Sequence, residues 1–110
     1  MLPASLLAAI NAGVQRSSAS PAALAALDHN YAPSGVLQMP MVMLSNVRDP
    51  VVPGFNQDSY LAAVTATGSS NLLVQRQVDA YGHCAFAPTD IGTAFTDLVL
   101  WVQFGIKPSP

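Results

Sequence analysis

Two short strand-forming runs with a helical stretch between them set the tightest limit on this chain. The first is Met39-Pro40-Met41-Val42-Met43-Leu44 and the second is Leu72-Leu73-Val74-Gln75-Arg76-Gln77-Val78. Strands joined by a helix run parallel, because a crossover returns the chain to the same end of the sheet, almost always with right-handed sense. The first run is apolar throughout, as expected of a strand covered on both faces. Pro40 falls near its start, where a missing backbone donor is tolerated. The second run turns polar after Val74, which suits an edge strand or a protruding end. Two parallel strands do not form a free-standing sheet: their faces need cover and their outer edges need partners.

The remaining elements read as helices. Leu2, Leu6, Ala9/Ile10 and Gly13 lie on one stripe, with Gly13 as a stop. Ser20 is a cap and Pro21 suits the first position of a second helix that continues through Ala22–Leu27. Pro33-Ser34-Gly35 reads as a turn. Between the strands, Asn56 is placed as the N-cap of a helix, with Phe55 and Tyr60 as a hydrophobic staple and Gly68 as its end. After the second strand, Asp79–Pro88 reads as a loop. Thr89 is then the expected cap of a final helix whose apolar face is Ile91, Ala94/Phe95, Leu98 and Trp101/Val102, ending at Gly105 and Pro108. Trp101, Phe95 and Phe104 are assigned to its core side. The fold class is therefore α/β, with an Ala-rich helical segment over residues 1–35 and a strand–helix–strand–helix portion over 36–110.

Composition narrows the function classes. Of the 110 residues, 51% are hydrophobic and only 9% charged, against about 25% charged in typical soluble domains. So apolar a short chain cannot hide all its greasy surface, which points to a larger fold or to self-association. The net charge of −2 leaves no basic footprint for nucleic acid. The cations Arg16, Arg48, Arg76 and Lys107 are scattered, which argues against an anionic membrane surface. No apolar run reaches the ~18 residues of a spanning helix. A single cysteine, Cys84, excludes an internal disulfide. His29, His83 and Cys84 lack metal-ligand spacing.

The chemistry gathers behind the two strands. Functional residues of open α/β sheets collect at the carboxyl ends of strands. Asp49 follows the first strand and His83, in Gly82-His83-Cys84, follows the second, 34 residues later. A carboxylate there can accept from one imidazole nitrogen and hold the tautomer, while the other nitrogen moves a proton. Pro50 keeps Asp49 out of helical geometry. Asp79 is the alternative acid, and a turn-stabilising role is the plain alternative for Asp49. Asp58 fits the first turn of its helix. Cys84 and His83 make a poor dyad, since adjacent side chains diverge.

The strand Pro40–Leu44, Asp49-Pro50-Val51-Val52-Pro53, Gly82-His83-Cys84 and the closing segment Leu98–Pro108 together resemble the C-terminal part of an α/β-hydrolase. The resemblance covers roughly residues 36–108. Residues 1–35 are compatible with a cap or insertion. It implies a serine esterase, lipase or peptidase acting on a small ester or amide, without a cofactor, with Asp49 as acid and His83 as base. The family order Ser…Asp…His places the nucleophile before Asp49. No Gly-x-Ser-x-Gly is present, and none of Ser5, Ser17, Ser18, Ser20, Ser34 and Ser45 has glycines on both sides at that spacing or follows a strand. The chain alone is expected to be inactive, needing an N-terminal part that holds the nucleophile. The alternative is a truncated remnant that acts through oligomerisation or a partner chain.

Overall fold

Strand β1, Met41–Arg48, and strand β2, Leu73–Tyr81, form a two-stranded parallel sheet in a computed structural model that describes residues 2–110. Helices α1, Ala4–Gly13, and α2, Pro21–Asn30, precede the sheet. Helix α3, Phe55–Ala66, and a 3-10 turn at Ser70–Leu72 join the two strands, and α4, Pro88–Phe104, follows them. The architecture is thus mixed α/β. The chain divides into two compact units, the first ending at Ala32 and the second being Pro33–Pro110.

In the first unit, Ser20 Oγ accepts from the Ala23 amide and Pro21 opens α2, as its sequence dictates. Every described residue of this unit is exposed. Its larger apolar side chains, among them Leu2, Leu6, Ile10, Leu24 and Leu27, are all exposed.

In the second unit the strands pair in register from Met41↔Leu73 to Asn46↔Val78, and then slip so that Arg48 faces Tyr81. Side chains alternate across the sheet. Tyr60 of α3 donates to Met41 Sδ and Gln75 Nε2 donates to the Gln57 carbonyl, so α3 covers the face of Met41 and Gln75. Arg76 points the other way, to an ion pair with Asp97 of α4 at 2.8 Å. Val64, Leu73, Val74, Ala94 and Trp101 are the buried hydrophobic residues. Lys107 folds back over the Trp101 ring at 5.3 Å and donates to the Asn71 carbonyl.

The turn before β1 locks onto α3. Gly35 is buried with φ +74°, and a Cβ there would lie 2.4 Å from the carbonyl carbon and oxygen of Ala63. Its own carbonyl accepts from Thr67 Oγ1 at 2.7 Å, and the Leu37 amide donates to Ser69 Oγ.

Several expectations are corrected. β1 does not stop at Leu44 but continues through Ser45–Arg48, because backbone pairing with β2 persists beyond the apolar run. Asp79 lies inside β2 rather than in a loop. The N-cap of α3 is Gly54, not Asn56, whose side chain instead donates to the Pro53 carbonyl; Phe55, 65% exposed, forms no staple. The cap of α4 is Ala87 rather than Thr89. Pro88 sets the first helical turn and the Asp90 carboxylate accepts from the Ala87 amide at 2.9 Å. Along α4, Ala94 and Trp101 are buried, whereas Ile91, Phe95, Val102 and Phe104 are exposed. A sheet two strands wide covers only a narrow stripe of a helix, so the wider apolar face has nothing to rest on.

Candidate active site

Asp49 is the first residue after β1, and His83 is the second residue after β2. Parallel pairing brings both strand ends to one edge of the sheet, and His83 Nδ1 lies 2.9 Å from Asp49 Oδ2. The two carboxylate oxygens do different work. Oδ1 accepts from the backbone amides of Val51 at 2.8 Å and Val52 at 2.9 Å, so Asp49 also closes the turn before Pro53. With Oδ1 held, Oδ2 is aimed at the imidazole. The Asp49 side chain is 10% exposed and that of His83 48% exposed. Nε2 of His83 has no hydrogen-bond partner among the described residues. An imidazole bonded to a carboxylate at Nδ1 keeps its proton there and leaves Nε2 as the free acceptor.

The Val52 amide lowers the Asp49 pKa below its ordinary value of 3.8. The hydrogen bond to His83, the Val51 amide and the His83 charge act in the same direction, against partial burial, which raises it. A carboxylate depressed in the folded state stabilises the fold above its unfolded pKa and loses that contribution as pH falls through the folded value. The Asp49 contacts should therefore be intact above pH 3.8 and be lost in more acidic solution. Amide shifts of Val51 and Val52 followed by NMR across that range would show it, and Asp49→Asn should flatten both curves.

Asp79, the alternative acid, is not brought to His83. Its carboxylate pairs with Arg48 at 2.9 Å, with both side chains largely exposed, an arrangement worth little to stability. Cys84 is exposed and takes φ +54°, between His83 and Ala85. A cleft of about 110 Å³ lies beside the pair, bounded by Leu44, Val52, Gln57 and Phe86 as well as by Asp49 and His83. A larger cleft of about 480 Å³, between Gln57, Gln75 and Gln77, is lined by neither Asp49 nor His83. Among the described residues, no three histidine, cysteine or acidic side chains cluster to hold a metal ion, and no helix is long and apolar enough to cross a membrane.

One residue of this region has no counterpart in the expectations drawn from sequence. Asn46 is 5% exposed, and its amide both accepts from the Ala85 amide at 2.9 Å and donates to the Ala85 carbonyl at 3.1 Å. The available signal was an asparagine two residues after an apolar run, in a stretch otherwise able to continue a strand.

No family model matches the chain, and no curated protein or solved structure is significantly similar to it.

Proposed function

We propose that Asp49 and His83 are the acid and base of a Ser-His-Asp triad, in the C-terminal portion of a serine hydrolase of the α/β-hydrolase kind. The observation that carries this reading is the arrangement of the pair: Oδ1 of Asp49 tied to two amides, Oδ2 on Nδ1 of His83, and Nε2 without a partner. In the reaction, Nε2 takes the proton of an attacking serine hydroxyl and returns it to the alcohol or amine leaving group. Asp49 stabilises the imidazolium that forms between these steps. The nucleophile and oxyanion donors come from outside these 110 residues. Ser45, which borders the same cleft, spends its hydroxyl on the Arg76 carbonyl.

A fluorophosphonate probe tests the assignment of roles. The 110-residue chain should show no labelling. In the product of a reading frame extended upstream of Met1, a serine in a strand–Gly-x-Ser-x-Gly–helix context should label, and His83→Ala should lower kcat for a small ester by about 10⁴–10⁶-fold. Labelling of a serine within the 110 residues would overturn the assignment, as would an upstream sequence with no such serine.

A second reading is favoured by one observation. Both outer edges of the two-stranded sheet lack a strand among the described residues, and Phe95, Val102 and Phe104 of α4 are exposed. On this reading the chain is a non-catalytic remnant that associates with itself or with a partner chain. Light scattering tests its self-association arm: a stable monomer at low micromolar concentration removes self-association.

A further inference from the structure

We infer that Asn46 is a positioning residue, which holds His83 in place by clamping the loop behind it. This rests on the acid–base reading of Asp49 and His83. Past Tyr81 the parallel ladder ends, and the loop that carries His83 has few backbone anchors. Ahead of the histidine, the Gly82 amide donates to the Arg48 carbonyl at 3.2 Å. Behind it, both backbone polar groups of Ala85 go to a single side chain, Asn46. Between these anchors Gly82 has φ +135° and Cys84 φ +54°, backbone shapes that a side-chain-bearing residue adopts only when its surroundings impose them.

The amide is the chemistry this clamp requires. It offers a donor and an acceptor on one planar group, and so satisfies an amide and a carbonyl of the same residue together. A carboxylate would only accept, and an aliphatic side chain would leave both Ala85 groups without partners at a part-buried site, which is costly. Asn46 also stands on the strand that delivers the acid, three residues before Asp49. One strand therefore sets the position of Asp49 and the anchor of the histidine loop. The 2.9 Å contact therefore draws on β1 on both sides, through Asp49 itself and through the anchor of the loop behind His83.

The test uses NMR on the full chain, reading the His83 ring and, separately, the Trp101 indole, a buried reporter of the fold on α4. In the parent chain the neutral His83 ring should carry its proton on Nδ1, giving the Nδ1-protonated signal in the ring nitrogen chemical shifts. Asn46→Ala and the γ-branched but bulkier Asn46→Leu should lose that signal and shift the ring toward the Nε2-protonated form, with the Trp101 signal unchanged. Asp49→Asn should also lose it. Persistence of the Nδ1 signal in both Asn46 variants, with its loss in Asp49→Asn, would overturn the positioning role and leave the acid–base pair standing. Persistence in Asp49→Asn would overturn the pair itself. Loss of the Trp101 signal in both Asn46 variants would make Asn46 a support of the whole fold and overturn a local role.

Discussion

Gly35→Ala is expected to destabilise the Pro33–Pro110 unit by about 2–5 kcal/mol. Two costs combine. The backbone at Gly35 has φ +74°, where an L side chain costs about 1–2 kcal/mol. The new methyl would also stand 2.4 Å from the Ala63 carbonyl group. That obstacle is helix backbone, which cannot rotate away, and overpacking of this kind costs about 1–3 kcal/mol. Either α3 retreats from the turn, breaking the Thr67 hydroxyl bond to the Gly35 carbonyl, or the turn unwinds. Gly68→Ala is the matched control. Its φ is +76°, yet a Cβ there meets nothing within 4 Å, so only the backbone cost applies. Urea unfolding should show a much larger fall in midpoint for Gly35→Ala than for Gly68→Ala, at similar slope. Equal falls would mean that the turn does not press on α3.

The second large effect is on chemistry. In a complete hydrolase holding this segment, Asp49→Asn should lower kcat by about 10³–10⁴-fold. The reason lies in the turn. The Val51 and Val52 amides require an acceptor at Oδ1, so the carboxamide must place its oxygen there and its NH2 group toward His83. A donor facing Nδ1 forces that nitrogen to accept and moves the ring proton to Nε2. The base then points a proton at the nucleophile it should deprotonate. Unlike a simple loss of charge, this leaves the shape of the site intact, so KM should change little. Asp79→Asn, which alters only the exposed pair with Arg48, should leave kcat unchanged. A comparable loss in both variants would remove Asp49 from its special position.

The strand–helix–strand order was legible in the sequence because two apolar runs and a capped helix leave few alternatives. The juxtaposition of Asp49 and His83 followed from the same order, since parallel strands end on one edge. Strand β1 was underestimated because Ser45 and Asn46 interrupt its hydrophobic pattern. Their polar groups are satisfied by tertiary partners, the Arg76 carbonyl and Ala85, that no local pattern discloses. Asp79 was misplaced for the related reason that β2 remains paired to β1 after its residues become polar. The caps at Gly54 and Ala87 escaped notice because neither residue offers a side-chain acceptor. At Ala87 the work passes to Pro88 and Asp90. The wide apolar stripe of α4 was read as core because periodicity reports which residues are apolar, not how much sheet is present to cover them.

The 34-residue separation of Asp49 and His83 also bears on the order in which this chain folds. Helices α3 and α4 are local and can form early, but a parallel pair must close the whole intervening segment before its first rung is gained. The imidazole–carboxylate contact lies beyond the last rung, past the slip at Asn46–Arg48. It is expected to form once the ladder has closed to its end, with α3 on the face of the sheet. In a refolding experiment, helical signal should therefore return first and the Asp49–His83 contact last, so the pair serves as a clock for completion of the native state.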